Sequence, residues 1–293
     1  MYIVIGANGY LGSYFIKNIL TMTDERILAT ARHRGKDYGP RVEWAECDIT
    51  KEDDAVALNE AYLKVSKDNK VLFLAAYHHP DLVEENPRIA WNTNVTSLSR
   101  FMNLADNVSR FFYPSTDSVY GEGGKEYRFR ESDALNPVNR YGVQKTVAEK
   151  LITAYGYNVV RFPFLIAPSL LPSKKHFYDV IAETLAEGKP FEMFADSYRS
   201  TLSFNTVSQL VIQLIEKKDF VPQIINVCGD RAYSKYEVGL MIADKIGASR
   251  DLVIPISIND STGIFEAKRA GSTVMDNSLL KKTLGLQKVE LEL

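Results

Sequence analysis

Tyr141 and Lys145 stand four residues apart in Asn139-Arg140-Tyr141-Gly142-Val143-Gln144-Lys145. That segment reads as helical, so the phenol and the ammonium share one face. A fixed cation favours the phenolate and lowers a tyrosine from its ordinary pKa of about 10, which makes Tyr141 a candidate general acid or base. Tyr-x-x-x-Lys also arises by chance, usually as a half-buried ring beside a surface lysine, so the elements around the pair must decide. Upstream, the apolar strand Phe111-Phe112-Tyr113 runs into Pro114-Ser115-Thr116-Asp117-Ser118-Val119-Tyr120-Gly121. Hydroxyls at the C-terminal end of a strand face the crevice where α/β sheets bind ligands. Thr116 and Tyr141 are therefore expected to converge on one carbonyl oxygen, Thr116 holding it and Tyr141 delivering a proton.

The N-terminus supplies a place for a second reactant. Tyr2 to Ile5 is a short apolar strand, followed by Gly6-Ala7-Asn8-Gly9-Tyr10-Leu11-Gly12 and an amphipathic helix to about Leu20. Strand, glycine loop and helix bring backbone N–H groups and a helix N-terminus against a pyrophosphate, with glycine wherever a Cβ would obstruct. Gly6, Asn8, Gly9, Tyr10, Leu11 and Gly12 are accordingly expected to bind a dinucleotide. A second strand, Ile27 to Ala31, ends in Arg32-His33-Arg34. A guanidinium there suits a 2′-phosphate, whereas an NAD site usually has a carboxylate, so Arg32 favours NADP(H) and leaves NAD(H) open. A third strand, Val42 to Ile49, brings Asp48 and Ile49 to the adenine; an N-cap role for Asp48 competes with that reading. Lys70 to Ala76 reads as a buried fourth strand, with Ala75 and Ala76 small enough to let a ribose pass. The adjacent His78 and His79 read as solvated loop residues without a third metal ligand, and Val95, Leu98, Met102 and Ala105 form a helix stripe packed on the sheet.

Composition sets the bounds. The 293 residues suffice for one large domain with an appended lobe, and 35 Lys plus Arg against 37 Asp plus Glu give a net charge of -2, which offers no attraction to nucleic acid or an anionic membrane. Two cysteines, Cys47 and Cys228, lack metal or disulfide spacing and suit a reducing cytoplasm. No secretory leader or membrane-length apolar run is apparent, so the Asn-x-Ser/Thr tripeptides at Asn94, Asn107 and Asn259 read as coincidental. Strands and helices alternate through a sixth strand, Asn158 to Phe164, and a seventh, Ile224 to Val227. The fold class is α/β with a doubly wound parallel sheet and a smaller, interleaved C-terminal lobe. We expect a dinucleotide-binding domain over residues 1–165, completed by roughly 202–228, and a substrate-binding lobe from 166–201 and 229–293.

The G-x-x-G-x-x-G loop, the Ser-Thr-Asp-Ser-Val-Tyr-Gly segment, the Tyr-x-x-x-Lys helix and Val160-Arg161-Phe162-Pro163 resemble the extended short-chain dehydrogenase/reductases, with their Rossmann fold, over nearly the whole chain. Within them the resemblance is to the dTDP-4-dehydrorhamnose reductase-like branch. It implies that Thr116 holds the keto oxygen of a nucleotide-sugar substrate, that Tyr141 donates the proton, and that Lys145 binds the nicotinamide ribose and lowers the tyrosine pKa. It places Leu165 to Pro168 beside the nicotinamide and gives Arg199 and Arg269 the task of clamping the nucleotide diphosphate, which the planar guanidinium suits. A helix starting near Pro172-Ser173-Lys174-Lys175-His176-Phe177 and running to about Glu187 covers the substrate; its two lysines read as a solvated charge run. Relatives that dehydrate sugars carry Thr-Asp-Glu where this chain has Thr116-Asp117-Ser118, which argues against a dehydratase although Asp117 is retained. GDP-fucose synthase relatives place a cysteine near this loop, and this sequence has none there. Reduction of a C4 ketone by NADPH is the expected chemistry. A 4-epimerase with tightly held NAD and a regulatory subunit that binds NADP(H) without turnover are the alternatives, and a helix-to-helix homodimer is common in the family.

Overall fold

Tyr2–Ile5 is buried along its whole length, which in a strand means cover on both faces. In the computed structural model, which describes residues 1–124, 126–171, 173–260 and 265–293, this strand, β1, is the third of a seven-stranded parallel sheet. The elements in chain order are β1, α1 (Tyr10–Met22), β2 (Ile27–Ala31), β3 (Val42–Glu46), α2 (Glu52–Leu58), β4 (Asn69–Phe73), α3 (Pro80–Glu85), α4 (Pro87–Trp91), α5 (Ser97–Leu104), β5 (Val108–Thr116), α6 (Arg140–Ala154), β6 (Asn158–Phe162), α7 (Phe177–Ala186), β7 (Phe191–Phe194), β8 (Tyr198–Arg199), α8 (Phe204–Glu216), β9 (Ile224–Asn226), β10 (Tyr233–Ser234), α9 (Lys235–Ile246), β11 (Val253–Ile256) and α10 (Ser278–Leu284). Strand order in the large sheet is β3-β2-β1-β4-β5-β6-β9. The direction of winding reverses between β1 and β4, and ligands of doubly wound sheets bind outside the strand ends at such a point.

The period-two alternation of strands explains the two layers. Tyr2 and Val4 join a core with Phe15, Ile16 and Ile19 of α1 and Val207, Val211 and Ile215 of α8. Ile3 and Ile5 join the opposite core with Leu98 and Phe101 of α5 and Ala148 and Ile152 of α6. A third cluster, away from the sheet, packs Tyr178, Ile181 and Leu185 of α7 against Met193, Val238, Ile242 and Val253, where β7 and β11 pair in parallel.

Several strands end elsewhere than the sequence suggests. The third stops at Glu46 because Asp48 folds back, its Oδ1 accepting from the N–H and hydroxyl of Thr50 at 3.1 and 2.7 Å. The fourth stops at Phe73, so Ala75 and Ala76 leave the sheet. The fifth is longer than expected: pairing with β6 continues through Pro114 to Thr116 opposite Phe162, although proline commonly ends a ladder. Thr116 is thus the last residue of its strand rather than part of the following loop. The covering helix runs from Phe177 to Ala186 and is followed by a turn at 187–188; Pro172, from which it was expected to run, lies outside the described residues. Strands β7, β8, β10 and β11 were not foreseen, being two to four residues long.

Candidate active site

A cleft of about 740 Å³ opens at the reversal point between β1 and β4. Of the residues expected at a dinucleotide, Gly6, Asn8, Gly9, Arg32, Asp48, Ile49, Ala75 and Ala76 line it. The loop can pass this close to β4 only as glycine: Gly6 has φ +86°, and a Cβ there would lie 2.7 Å from the Ala75 nitrogen. Gly9 is the N-cap of α1 and supplies no side-chain cap, so the first amides of a 13-residue helix keep their donors for an anion. These features fit a dinucleotide pyrophosphate. The other loop residues are not on the cleft wall. Gly12 is buried where α1 crosses Ala7, Leu11 packs into the core, and the Tyr10 hydroxyl donates to the Lys175 carbonyl at 2.6 Å.

That last contact belongs to a strap that sequence reading set aside. Lys174, taken as solvated, lines the cleft and its Nζ donates to the Asn8 carbonyl at 2.6 Å. Arg32 shares the wall with Asp48; hydrogen bonds from Thr50, with Lys51 and Arg32 as lesser contributions, hold the Asp48 carboxyl below its usual range against burial. Asp48 does not cap α2, whose N-cap is Lys51. His78, read as a solvated loop residue, instead lines the cleft, and burial pushes its imidazole pKa down. Among the described residues no group of three metal-ligating side chains occurs.

The candidate catalytic residues stand on neighbouring elements. Thr116 ends β5, and its Oγ1 lies 3.1 Å from Asp117 Oδ1 and 3.3 Å from Ser118 Oγ. Asn139 caps α6 by accepting from the Gly142 N–H at 2.9 Å. The first turn of α6 comes very near the Thr116 turn: a Cβ on Gly142 would lie 2.7 Å from the Ser118 carbonyl and 2.7 Å from Pro137. Only glycine allows that approach, which sets Tyr141 against the end of β5. Alanine would ordinarily favour a helix, yet here it meets a backbone oxygen that cannot yield. Gly142→Ala is therefore expected to lose about 1–3 kcal/mol of stability and to slow turnover, measured by urea titration and steady-state assay; wild-type values for both would remove this account of the approach.

Lys145 makes contacts that its spacing from Tyr141 does not foretell. Its buried ammonium donates to the Tyr113 hydroxyl at 2.8 Å and the Pro114 carbonyl at 2.5 Å, and no hydrogen bond among the described residues joins it to Tyr141. Burial lowers the Lys145 pKa to about 7, opposed by Glu149 one turn further on. Burial and the nearby Asp117 carboxylate raise the Tyr141 pKa. The expected depression of the tyrosine is thus not present: the phenol is held protonated, the form a proton donor needs. A sign follows for stability. Unfolded lysine titrates near about 10.4, so between pH 7 and that value the unfolded chain binds the proton more tightly and stability rises with pH. Lys145→Met is expected to remove up to roughly 1.4 kcal/mol per pH unit of that slope, read from urea midpoints at several pH values; an unchanged slope would contradict the burial of the charge.

Asp117 is buried and anchored: Arg199 Nε lies 3.2 Å from its Oδ2, and Thr273 donates to the same oxygen. The rest of the Arg199 guanidinium donates to the carbonyls of Tyr198, Gly271 and Ala270 at 2.7–2.9 Å. Arg269 is held by Asp81 at 2.8 Å, and the same aspartate accepts from Ala267 N–H at 2.9 Å. Asn139 donates to Lys268, so the segment carrying Arg269 is laid across the start of α6. Both arginines therefore border the Thr116–Tyr141 site with much of their donor capacity already in use. Sequence reading also missed Asn94, dismissed as a chance tripeptide: it is buried, brackets Tyr77 through both main-chain groups, and donates to Gln144 of α6 at 2.7 Å. It ties the loop after β4 to the helix that carries Tyr141.

The sequence model of the RmlD substrate binding domain matches residues 1–292. The chain belongs to that family. It is 28% identical over 222 residues to methionine adenosyltransferase 2 subunit beta of Bos taurus, covering 74% of this chain and 65% of that protein. It is 22% identical over 305 residues to the dTDP-4-dehydrorhamnose reductase of Aggregatibacter actinomycetemcomitans, covering 97% and 93%. The dTDP-4-dehydrorhamnose reductase of Bacillus anthracis, solved in complex with NADP, superposes with a TM-score of 0.78 at 19% identity over 98% of this chain and 94% of its own. Family membership thus agrees with the resemblance read from the motifs. Among the described residues no helix is long and apolar enough to cross a membrane.

Proposed function

We propose that this protein is an NADPH-dependent reductase of the C4 ketone of a nucleotide-linked 4-keto-6-deoxy sugar. The observation that carries the reading is the meeting of the Thr116 turn and the first turn of α6 across Gly142, with a protonated Tyr141, beside the glycine-lined cleft. Bound NADPH supplies the hydride. The chain's own residues do the rest. Thr116 holds the keto oxygen, and Tyr141 gives its proton to that oxygen as charge develops there. Lys145 stabilises the resulting phenolate: its ammonium titrates near neutrality, and a nearby negative charge strengthens its hold on a proton.

Arg32 in the cleft supports NADP(H) over NAD(H), because a guanidinium suits a 2′-phosphate. The reductase from Bacillus anthracis with NADP supports the same choice. Asp117, already anchored by Arg199 and Thr273, is poorly placed to move protons in a dehydration, and Ser118 adds no carboxylate. The relative from Bos taurus bears the name of a subunit, which keeps a binding-only role in view; a poised proton donor is of no use to such a role.

Cofactor extraction tests the reading. A reductase must exchange its dinucleotide every cycle, so purified protein is expected to release it on gel filtration and to bind NADPH more tightly than NADH. Arg32→Glu is expected to reverse that preference. Stoichiometric NAD that survives gel filtration would favour a 4-epimerase and contradict the proposal.

A further inference from the structure

Lys235 is the first residue of α9, where the positive end of the helix dipole already disfavours a cation. Its Nζ lies 5.6 Å from the ring centre of Phe164 and 5.5 Å from that of Phe194. Arg199 and Arg269 act on it as like charges, with Asp117 as the opposing carboxylate. Each of those arginines has its own partner, Asp117 for Arg199 and Asp81 for Arg269. Lys235 has none: among the described residues no hydrogen bond or ion pair engages its ammonium, and its three donors are free. Burial together with the two guanidinium groups lowers its pKa to about 8. A cation withdrawn from water without an ion-pair partner is costly, and the two rings offset only part of that cost.

The position of this charge gives it a use. Ser234, the residue before Lys235, pairs with Tyr198 across β10 and β8, and Tyr198 precedes Arg199, whose guanidinium holds Asp117 beside Thr116, so Lys235 borders the same site from the side of α9. Phe164, two residues beyond the end of β6, is one of the two rings facing its ammonium. We propose that Lys235 is a substrate-binding residue that pairs with an oxyanion of the substrate, either a phosphate of the nucleotide diphosphate or a carboxylate on the sugar. The two sources share one chemistry: an acceptor of negative charge that meets a free ammonium between two rings, with Arg199 and Arg269 adding to the local positive potential. Binding then repays the desolvation that the free protein carries. This inference rests on the reading of the site as one for a nucleotide sugar.

The test is equilibrium binding, measured by calorimetry on the full chain, for wild type, Lys235→Met and Lys235→Arg. Probes are inorganic pyrophosphate, dTDP, UDP, UDP-glucose and UDP-glucuronate. Lys235→Met is expected to weaken oxyanion binding on the order of ten- to a hundredfold, Lys235→Arg to retain most of it, and both to leave NADPH affinity unchanged. Because methionine removes an unpaired charge, the Lys235→Met melting temperature is expected to equal or exceed that of wild type, which shows that the variant folds. Equal losses for pyrophosphate and the nucleotides assign the phosphate; a loss confined to UDP-glucuronate over UDP-glucose assigns the carboxylate. Affinities equal in wild type and Lys235→Met for every probe, including no binding by either, would overturn the proposal, as would a lowered melting temperature with unchanged affinity. None of these measurements needs turnover, so failed reduction of keto sugars leaves the result on Lys235 intact, and active reduction with unchanged affinities would overturn Lys235 alone.

Discussion

Tyr141→Phe is expected to lower the turnover of keto-sugar reduction by roughly 10²–10⁴-fold, the range typical of a lost general acid, while the NADPH dissociation constant stays near that of wild type. The substitution removes one oxygen and keeps the ring. No hydrogen bond among the described residues engages that hydroxyl, so the fold has little to lose. Burial and Asp117 keep the phenol protonated, and the half-reaction most affected is therefore protonation of the sugar oxygen. Turnover would fall without a matching rise in KM, as expected for an interaction made chiefly in the transition state. A variant within about threefold of wild type would exclude Tyr141 as the donor.

The second large effect lies behind the site. Glu149 and Arg161 are each 2% exposed and joined by two hydrogen bonds, Nε to Oε1 at 2.9 Å and an NH2 nitrogen to Oε2 at 2.6 Å. The guanidinium also donates to the Tyr120 hydroxyl at 2.7 Å, which donates in turn to Asn226. Tyr141, Lys145 and Glu149 follow one another at four-residue spacing, so this pair pins the face of α6 that carries Tyr141 and Lys145 to β6. Glu149→Gln leaves a buried guanidinium without its counter-charge, and the expected loss is about 3–5 kcal/mol. Replacing both partners, as Glu149→Leu with Arg161→Met, is expected to cost less than either single change, because no lone charge remains. Urea denaturation of the three variants checks this; a single-variant loss below about 1 kcal/mol would mean that water or another group screens the pair.

Much of the fold was legible because its signals are local. The β1 strand, the glycine loop and the second strand stand where composition and turn chemistry put them, and buried parallel strands read as plain apolar runs. What escaped depends on contacts distant in sequence. Asn94 looked like a chance tripeptide because its meaning lies in Tyr77 and in Gln144, fifty residues on. Lys174 looked solvated because only the fold brings it to the loop at Asn8. The site showed the same division. Four-residue spacing correctly places Tyr141 and Lys145 on one helix face, but it cannot show that Lys145 turns toward Tyr113 or that Asp117 stands near the phenol. Proximity in sequence suggested a depressed tyrosine, whereas three-dimensional burial raises it. Gly142 carries no motif signal at all, yet it allows the helix to reach Ser118.

The most direct test of the central claim is to mix the purified protein with NADPH and a dTDP-linked 4-keto-6-deoxy sugar and follow the near-ultraviolet absorbance of the reduced nicotinamide. The account predicts one NADPH oxidised per ketone reduced, with a new hydroxyl at C4 and no reaction in Tyr141→Phe over the same period. Absence of NADPH oxidation across a panel of dTDP-, UDP- and GDP-linked keto sugars, by protein shown to bind NADPH, would contradict it.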